Sequence, residues 1–121
     1  MKFMIMIHMN PALWESFGDE QQQAVMDGHR TLLKEITESG EFVSTYGLGE
    51  PELSSVVAVR NGVPVVTDGP YVEAKEFLAG FILIDVETRE RAHEVAARVP
   101  DAALGVGVEV RPVMYSAGDD L

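Results

Sequence analysis

Two amphipathic helical stretches separate the apolar runs of this chain, and their alternation restricts the fold more than any other feature. The first helix is predicted over residues 20–39, with Asp19 as its N-cap and Gly40 as its C-terminal stop. The second is predicted from Thr88, its N-cap, to Val99. Each stretch carries one apolar stripe at helical spacing, so each helix is expected to pack one face on a sheet.

The apolar and alternating runs are predicted as strands, and two of these strands form a hairpin. Its turn is Asn61-Gly62, the strongest short signal for a two-residue connection. The predicted strands are residues 2–8, 42–46, 54–60, 63–67, 78–86 and 105–115, whereas residues 11–18 are predicted as a connection. Without the hairpin the order is βαββαβ, which is the ferredoxin-like α+β arrangement.

The predicted fold leaves one face of its sheet uncovered. Both helices of such a unit lie on the same face, and the sequence predicts no third helix to cover the other. A second copy of the chain is the natural cover, so we expect a homodimer in which two sheets form a dimeric α+β barrel. With 121 residues and no linker-like segment, the chain is expected to be one domain spanning residues 1–121.

The charge balance argues against nucleic acid as a partner. The chain has 9 Lys and Arg residues against 20 Asp and Glu residues, which gives a formal net charge of −11. A field of that sign repels phosphate backbones. Because cysteine is absent, disulfides and thiol nucleophiles are excluded. The start of the chain has neither a signal-peptide core nor an apolar run long enough to span a membrane, so we expect a cytoplasmic protein without membrane association.

The motifs predict neither a cofactor nor a metal. There is no Gly-rich phosphate loop, and His8, His29 and His93 lie on three different predicted elements without the spacing of metal ligands. His29 differs from the other two because it falls inside the apolar stripe of the first helix. An inward imidazole there can act as a general acid or base, or it can be a core histidine satisfied by one hydrogen bond.

A second candidate site lies where the hairpin ends. Asp68-Gly69-Pro70 is a turn tripeptide whose Asp side chain can accept backbone N–H groups. The same carboxylate, held rigidly, can also orient His29 or bind a substrate group. The next segment holds Glu73, Lys75 and Glu76, which can grip a polar ligand at the mouth of a cleft or form ordinary surface ion pairs.

This part of the chain resembles a known family. Val66-Thr67-Asp68-Gly69-Pro70-Tyr71, followed by Glu73-Ala74-Lys75-Glu76 and Gly80-Phe81, is similar to the DGPF-type proteins of the YCII-related family. Tyr71 replaces the family's phenylalanine, and Ala74 replaces its threonine. Arg60-Asn61-Gly62 and Glu109-Val110-Arg111-Pro112 also match family positions. The resemblance covers nearly the whole chain and implies the dimeric ferredoxin-like barrel.

The resemblance also implies a pair of residues, although most DGPF-type members have no assigned activity. YCII relatives are thought to use a His–Asp pair, and His29 matches the family histidine by position. The usual partner, on the second helix, sits in an Asp-Pro dipeptide, whereas the order here is reversed as Pro100-Asp101. A few relatives are enzymes on small molecules, and some related domains occur beside sigma-factor-like modules.

Two functional hypotheses follow. The first is a cofactor-free small-molecule enzyme or ligand-binding protein with a pocket between the first helix and the sheet. His29 would be its acid–base group, Asp68 the orienting or substrate-binding partner, and residues 73–76 the rim. A proton transfer, elimination or hydrolysis fits this site best. The alternative is a non-catalytic partner or regulatory module associated with transcription-factor-like proteins, with the hairpin of residues 54–67 carrying the contacts.

Overall fold

The chain alternates strands and helices in the order that the sequence predicts, with one additional short helix. The computed structural model describes residues 1–69, 76–105 and 107–118. The α-helices and strands of these residues are β1 (Lys2–Met9), α1 (Pro11–Ser16), α2 (Asp19–Glu38), β2 (Phe42–Gly47), β3 (Ser55–Arg60), β4 (Val63–Asp68), β5 (Phe77–Asp85), α3 (Arg89–Ala97) and β6 (Val108–Pro112). Two short 3₁₀ helices, Pro51–Leu53 and Pro100–Ala103, complete the described structure.

The strands form a four-stranded sheet and a separate hairpin. The sheet has the order β2-β5-β1-β6, and each neighbouring pair is antiparallel. Strands β3 and β4 pair only with each other in the described structure. With the hairpin set aside, this is the strand order of a ferredoxin-like βαββαβ unit, so the predicted α+β fold is confirmed.

The core lies between one face of the sheet and the helices. Alternation along β1 turns Phe3, Ile5 and Ile7 towards the helices, and all three side chains are buried. Helix α2 contributes Leu32 and Ile36 to the same layer. The other buried members of the core come from β5, α3 and the residues that follow each of them: Ile82, Ile84, Val86, Ala92, Val95, Ala96 and Val99. None of the described helices combines the length and the apolar character needed to cross a membrane.

The opposite face of the sheet is apolar and only half-buried. Met4 pairs with Leu83, and Met6 pairs with Phe81, so these four side chains lie together on the side away from α2 and α3. The ring of Tyr46 extends the patch, with its centroid 5.3 Å from that of Phe81. Within the described residues, no helix covers this surface.

Helix α1 corrects the prediction of a connection over residues 11–18. The Asn10 side chain accepts hydrogen bonds from the backbone N–H groups of Ala12 and Leu13, and Pro11 occupies the first turn. Asn10-Pro11 breaks the strand and at the same time starts a helix, because proline suits the first helical position. The predicted N-cap of the long helix is also wrong, since Gly18 is the cap and Asp19 is already helical.

The two-residue hairpin turn is confirmed, and the last strand is shorter than predicted. Asn61 and Gly62 have φ angles of 51° and 76°, the left-handed conformation that this type of turn requires. Strand β6 covers only Val108–Pro112 of the predicted residues 105–115. Residues Pro100–Ala103, between α3 and β6, form the second 3₁₀ helix, which the sequence did not predict.

A bidentate ion pair joins α3 to the residue that precedes β2. Arg91 donates from Nε and one terminal nitrogen to the two carboxylate oxygens of Glu41, each at 2.8 Å. Ser39 donates a further hydrogen bond to Glu41 at 2.6 Å. Mainly because of the Arg91 hydrogen bonds, the pKa of Glu41 is lowered from 4.5 to about 2.

This pKa shift predicts a pH dependence of stability. The unfolded carboxyl takes up a proton near pH 4.5, whereas the folded carboxyl resists protonation down to about pH 2. The stabilisation is therefore complete above about pH 4.5 and is lost as the pH falls towards 2. We expect Glu41→Gln to lower the free energy of unfolding at pH 7 by about 1–2 kcal/mol. The expected loss is modest because the ion pair is partly exposed and solvent screens it.

Urea unfolding of parent and variant between pH 7 and pH 2.5 measures this effect. The difference between the two proteins should shrink below pH 4.5, whereas Glu38→Gln, at an exposed position in α2, should differ little from the parent throughout. A difference that stays constant down to pH 2.5 would contradict the assignment.

Candidate functional site

The second 3₁₀ helix places an aspartate against the histidine of the long helix. His29 Nε2 and Asp101 Oδ1 are 2.6 Å apart. Asp101 is 7% exposed and is the one buried charged residue among the described residues, while the His29 side chain is 25% exposed. Because a carboxylate only accepts hydrogen bonds, Nε2–H is the donor and Nδ1 is left for another interaction.

A glycine on α2 permits this contact. Gly28 precedes His29 in the chain, and a Cβ built at position 28 would lie 2.7 Å from Pro100 Cγ. A separation that short is a clash, so only glycine lets the helix approach Pro100 this closely. The next residue after Pro100 is Asp101, and the close approach therefore sets the position of the carboxylate relative to the imidazole.

The turn that carries Asp101 is fixed from both sides. Val99, which is buried in the core, accepts a backbone hydrogen bond from Ala102 at 2.9 Å. The backbone N–H of Leu104 donates to the Asp101 carbonyl at 3.0 Å, which closes the 3₁₀ helix. These bonds fix the backbone of Asp101 at a position from which its side chain reaches His29.

Asp101 also lines a cavity of about 210 Å³, so it connects His29 to that space. The cavity lies where β1 ends and α1 begins, and much of its wall is apolar. The Trp14 and Phe17 rings meet edge to face with centroids 6.0 Å apart, and Gln22 donates to the Trp14 carbonyl at 3.0 Å. The described lining residues are His8, Met9, Asn10, Leu13, Trp14, Phe17, Glu76, Asp101, Leu104 and Gly105.

A second histidine and a second carboxylate reach the same cavity. His8 lies next to the point where the pairing of β1 with β5 shifts register, between Ile7 and His8. Irregularities of this kind redirect side chains at the ends of strands. His8 and Glu76 also line a neighbouring groove together with the start of β6. The cavity is therefore bordered by two carboxylates and an imidazole, with a further imidazole bonded to Asp101.

The predicted site residues have different positions in the structure. His29 lies in a hydrogen-bonded pair, but its partner is Asp101. Asp68 ends β4 in the separate hairpin, where it is exposed, and the structure brings it into no contact with His29 among the described residues. Glu76 lines the cavity, whereas Glu73 and Lys75 lie outside the described residues. His93 is exposed on α3.

Sequence reasoning missed three residues of the site as candidates. For Asp101 the signal was the family resemblance, which places the partner of the histidine at an Asp-Pro dipeptide, but the order here is reversed as Pro100-Asp101 and nothing local indicates that the turn brings Asp101 to His29. His8 occupies the end of an apolar strand, a position that is also common for structural histidines. Trp14 lies in the segment predicted as a connection. The one signal for it was the helix start at Asn10-Pro11, which would have predicted that residue 14 lies on a helix beside the cavity.

The chain belongs to the YCII-related family. The sequence profile of the YCII-related domain matches residues 1–115, which is nearly the whole chain. The chain is also similar to an uncharacterized protein of Rhizobium meliloti (strain 1021), with 26% identity over 121 residues and 98% of each chain covered. The assignment to the DGPF type within the family stays a prediction.

The contact between Gly28 and Pro100 generates a prediction about stability. A Gly→Ala change inside a helix normally stabilises by about 1 kcal/mol. We expect Gly28→Ala to destabilise instead, by about 1–2 kcal/mol, because the new methyl group displaces Pro100. Thr31→Ala, at an exposed position of the same helix, serves as the control and should stabilise slightly. Chemical unfolding measures both, and a Gly28→Ala protein more stable than the parent would contradict the close approach.

Proposed function

We propose that this protein binds a small molecule in the cavity beside Asp101 and promotes a cofactor-free proton transfer on it. The observation that carries the proposal is the His29–Asp101 pair at 2.6 Å, with the carboxylate on the wall of an aromatic-lined cavity. A carboxylate held in one orientation on the wall of a small cavity can accept a proton from a bound carbon acid without first having to adopt the required geometry.

The two members of the pair have different roles in this proposal. Asp101 lines the cavity and is the group that contacts the ligand, so it is the catalytic residue. His29 donates to Asp101 from behind and is a positioning residue, which keeps the carboxylate in one orientation. This arrangement replaces the predicted His29–Asp68 pair with His29–Asp101 and keeps Glu76 as a substrate-binding residue on the rim. His8 supplies a further group able to give or accept a proton.

A chromogenic base-catalysed elimination tests the proposal without knowledge of the natural substrate. In 5-nitrobenzisoxazole, removal of the C3 proton by a carboxylate breaks the N–O bond and releases a coloured cyanophenolate. We expect the parent protein to accelerate this reaction relative to buffer. We expect Asp101→Asn to lower the accelerated rate by a factor of about ten or more. The absorbance of the released phenolate measures the rate of the elimination.

The control and the partner variant separate catalysis from folding. Asp27→Asn is the same change at an exposed carboxylate of α2 outside the cavity lining, and it should keep the parent rate. His29→Gln retains a side-chain N–H for Asp101 and should keep more of the rate than His29→Ala. Equal rates for the parent and Asp101→Asn would contradict the proposed role of the carboxylate.

We also propose that the protein is a homodimer that buries the uncovered face of its sheet. The support is the patch of Met4, Met6, Phe81 and Leu83, which is apolar although no described helix covers it. Two such sheets packed face to face form the dimeric α+β barrel that the sequence predicts. A stable interface of this kind buries about 1,200 Å² or more in total.

A charge introduced into this patch tests the assembly. Light scattering of the parent should give about twice the 13.2 kDa mass of one chain. Met6→Glu places two like charges across the interface and should shift the protein to the monomer. Ala24→Glu adds the same side chain at an exposed position of α2 and should leave the dimer intact. A monomer mass for the parent at micromolar concentration would rule the dimer out.

The alternative of a non-catalytic partner module is supported by the hairpin. Val57, Val59 and Val66 are each more than 60% exposed, and Val57 pairs directly with Val66 on one face. Two-stranded hairpins are marginally stable by themselves, so a partner protein would stabilise this one. The alternative predicts that the elimination rate does not depend on Asp101, and the comparison above therefore separates the two functions.

A further inference from the structure

The cavity beside Asp101 continues into a second space past the chain's single tryptophan. Trp14 and Met9 line both the cavity, of about 210 Å³, and an adjoining groove of about 270 Å³. A dry protein cavity of about 150 Å³ accommodates benzene. The inner cavity therefore has room for at least one six-membered ring with a short substituent, and the groove can hold an extension of such a molecule.

Carboxylates outnumber basic groups among the described residues that line this space, where His8 is the one basic side chain. Glu76 and Asp101 line the cavity, and Glu15, Glu50 and Glu52 line the groove. Among the described residues, neither lining contains a lysine or an arginine. The whole chain carries a formal net charge of −11, so the field of the rest of the molecule has the same sign. Such a cleft concentrates cations and repels anions.

The chemistry of the lining selects a ligand with a positively charged nitrogen. Carboxylates only accept hydrogen bonds, so the matching groups are N–H or O–H donors. A charged donor binds a carboxylate more strongly than a neutral one. Trp14 adds an aromatic face, and among the aromatic side chains an indole ring attracts a cation most strongly.

We propose that the cavity binds a compact single-ring ligand that carries a protonated nitrogen, as a primary ammonium or an amidinium group. The ring occupies the space beside Trp14 and Phe17, and the charged nitrogen pairs with Glu76, so that Asp101 adds its negative charge to the site and stays free to accept the ligand's proton. This inference deepens the proposed function, because it rests on the same cavity being the functional site and names the class of molecule that enters it.

Three probes of nearly equal size and different charge test the inference: benzylamine, benzyl alcohol and benzoate. Trp14 is the only tryptophan of the chain, so its fluorescence reports occupancy of the cavity and of the adjoining groove, and the Glu76 and Asp101 variants below assign binding to the cavity. We expect benzylamine to bind at least about tenfold more tightly than benzyl alcohol, and benzoate to cause no saturable change. Added salt should weaken benzylamine binding and leave benzyl alcohol binding almost unchanged.

Isosteric variants assign the preference to the named carboxylates. Glu76→Gln should weaken benzylamine binding by about fivefold to tenfold without changing that of benzyl alcohol, and Asp101→Asn should do the same. Glu38→Gln removes an identical charge from the exposed last turn of α2 and should leave both affinities unchanged. Circular dichroism spectra matching the parent exclude misfolding as the cause of a loss.

The outcomes separate this inference from the proposed function. Equal affinities for benzylamine and benzyl alcohol, or tighter binding of benzoate, would overturn the cationic ligand class while the cavity stays a binding site. Failure of all three probes to bind would overturn the inference as well. In either case the dependence of the 5-nitrobenzisoxazole rate on Asp101 decides the proposed proton transfer independently, because that substrate is uncharged.

Discussion

The close approach of helix α2 to Pro100 is the contact on which the candidate site depends. Gly28 leaves no side chain between the helix and the proline ring, and the chain can therefore turn directly beneath His29. The same short segment serves both the core and the site, because Val99 is buried in the core and Asp101 pairs with His29. The packing that stabilises the fold consequently also sets the geometry of the His–Asp pair.

The rest of the site lies at one end of the sheet, where regular pairing stops. The register of β1 and β5 shifts beside His8, α1 begins after Asn10, and the chain enters the second 3₁₀ helix at Pro100. Irregular segments carried by a rigid scaffold commonly hold binding and catalytic groups. The regular part of this sheet supplies the scaffold, and the irregular ends supply nearly all the polar groups of the cavity.

The sequence predicted the parts of the structure that local signals determine. Apolar stripes specify α2 and α3, and Asn61-Gly62 specifies the hairpin turn, because each signal acts within a few residues. Helix α1 was missed because Asn10-Pro11 indicates the end of a strand as readily as the start of a helix. The partner of His29 was assigned to Asp68, whereas the described structure pairs His29 with Asp101. That pairing joins residues 72 positions apart and depends on a tertiary contact that periodicity does not encode.

The short helix α1, which carries Trp14, is packed less firmly than the other walls of the cavity. Helix α1 has six residues, none of them buried, whereas the segment that carries Asp101 is fixed to the core through Val99. Segments with little buried apolar surface open at a lower free energy than the core does, so we expect the amide protons of α1 to exchange faster than those of the sheet. We therefore expect the side of the cavity formed by α1 to be where a ligand enters, whereas the carboxylate lies on the wall that is fixed to the core.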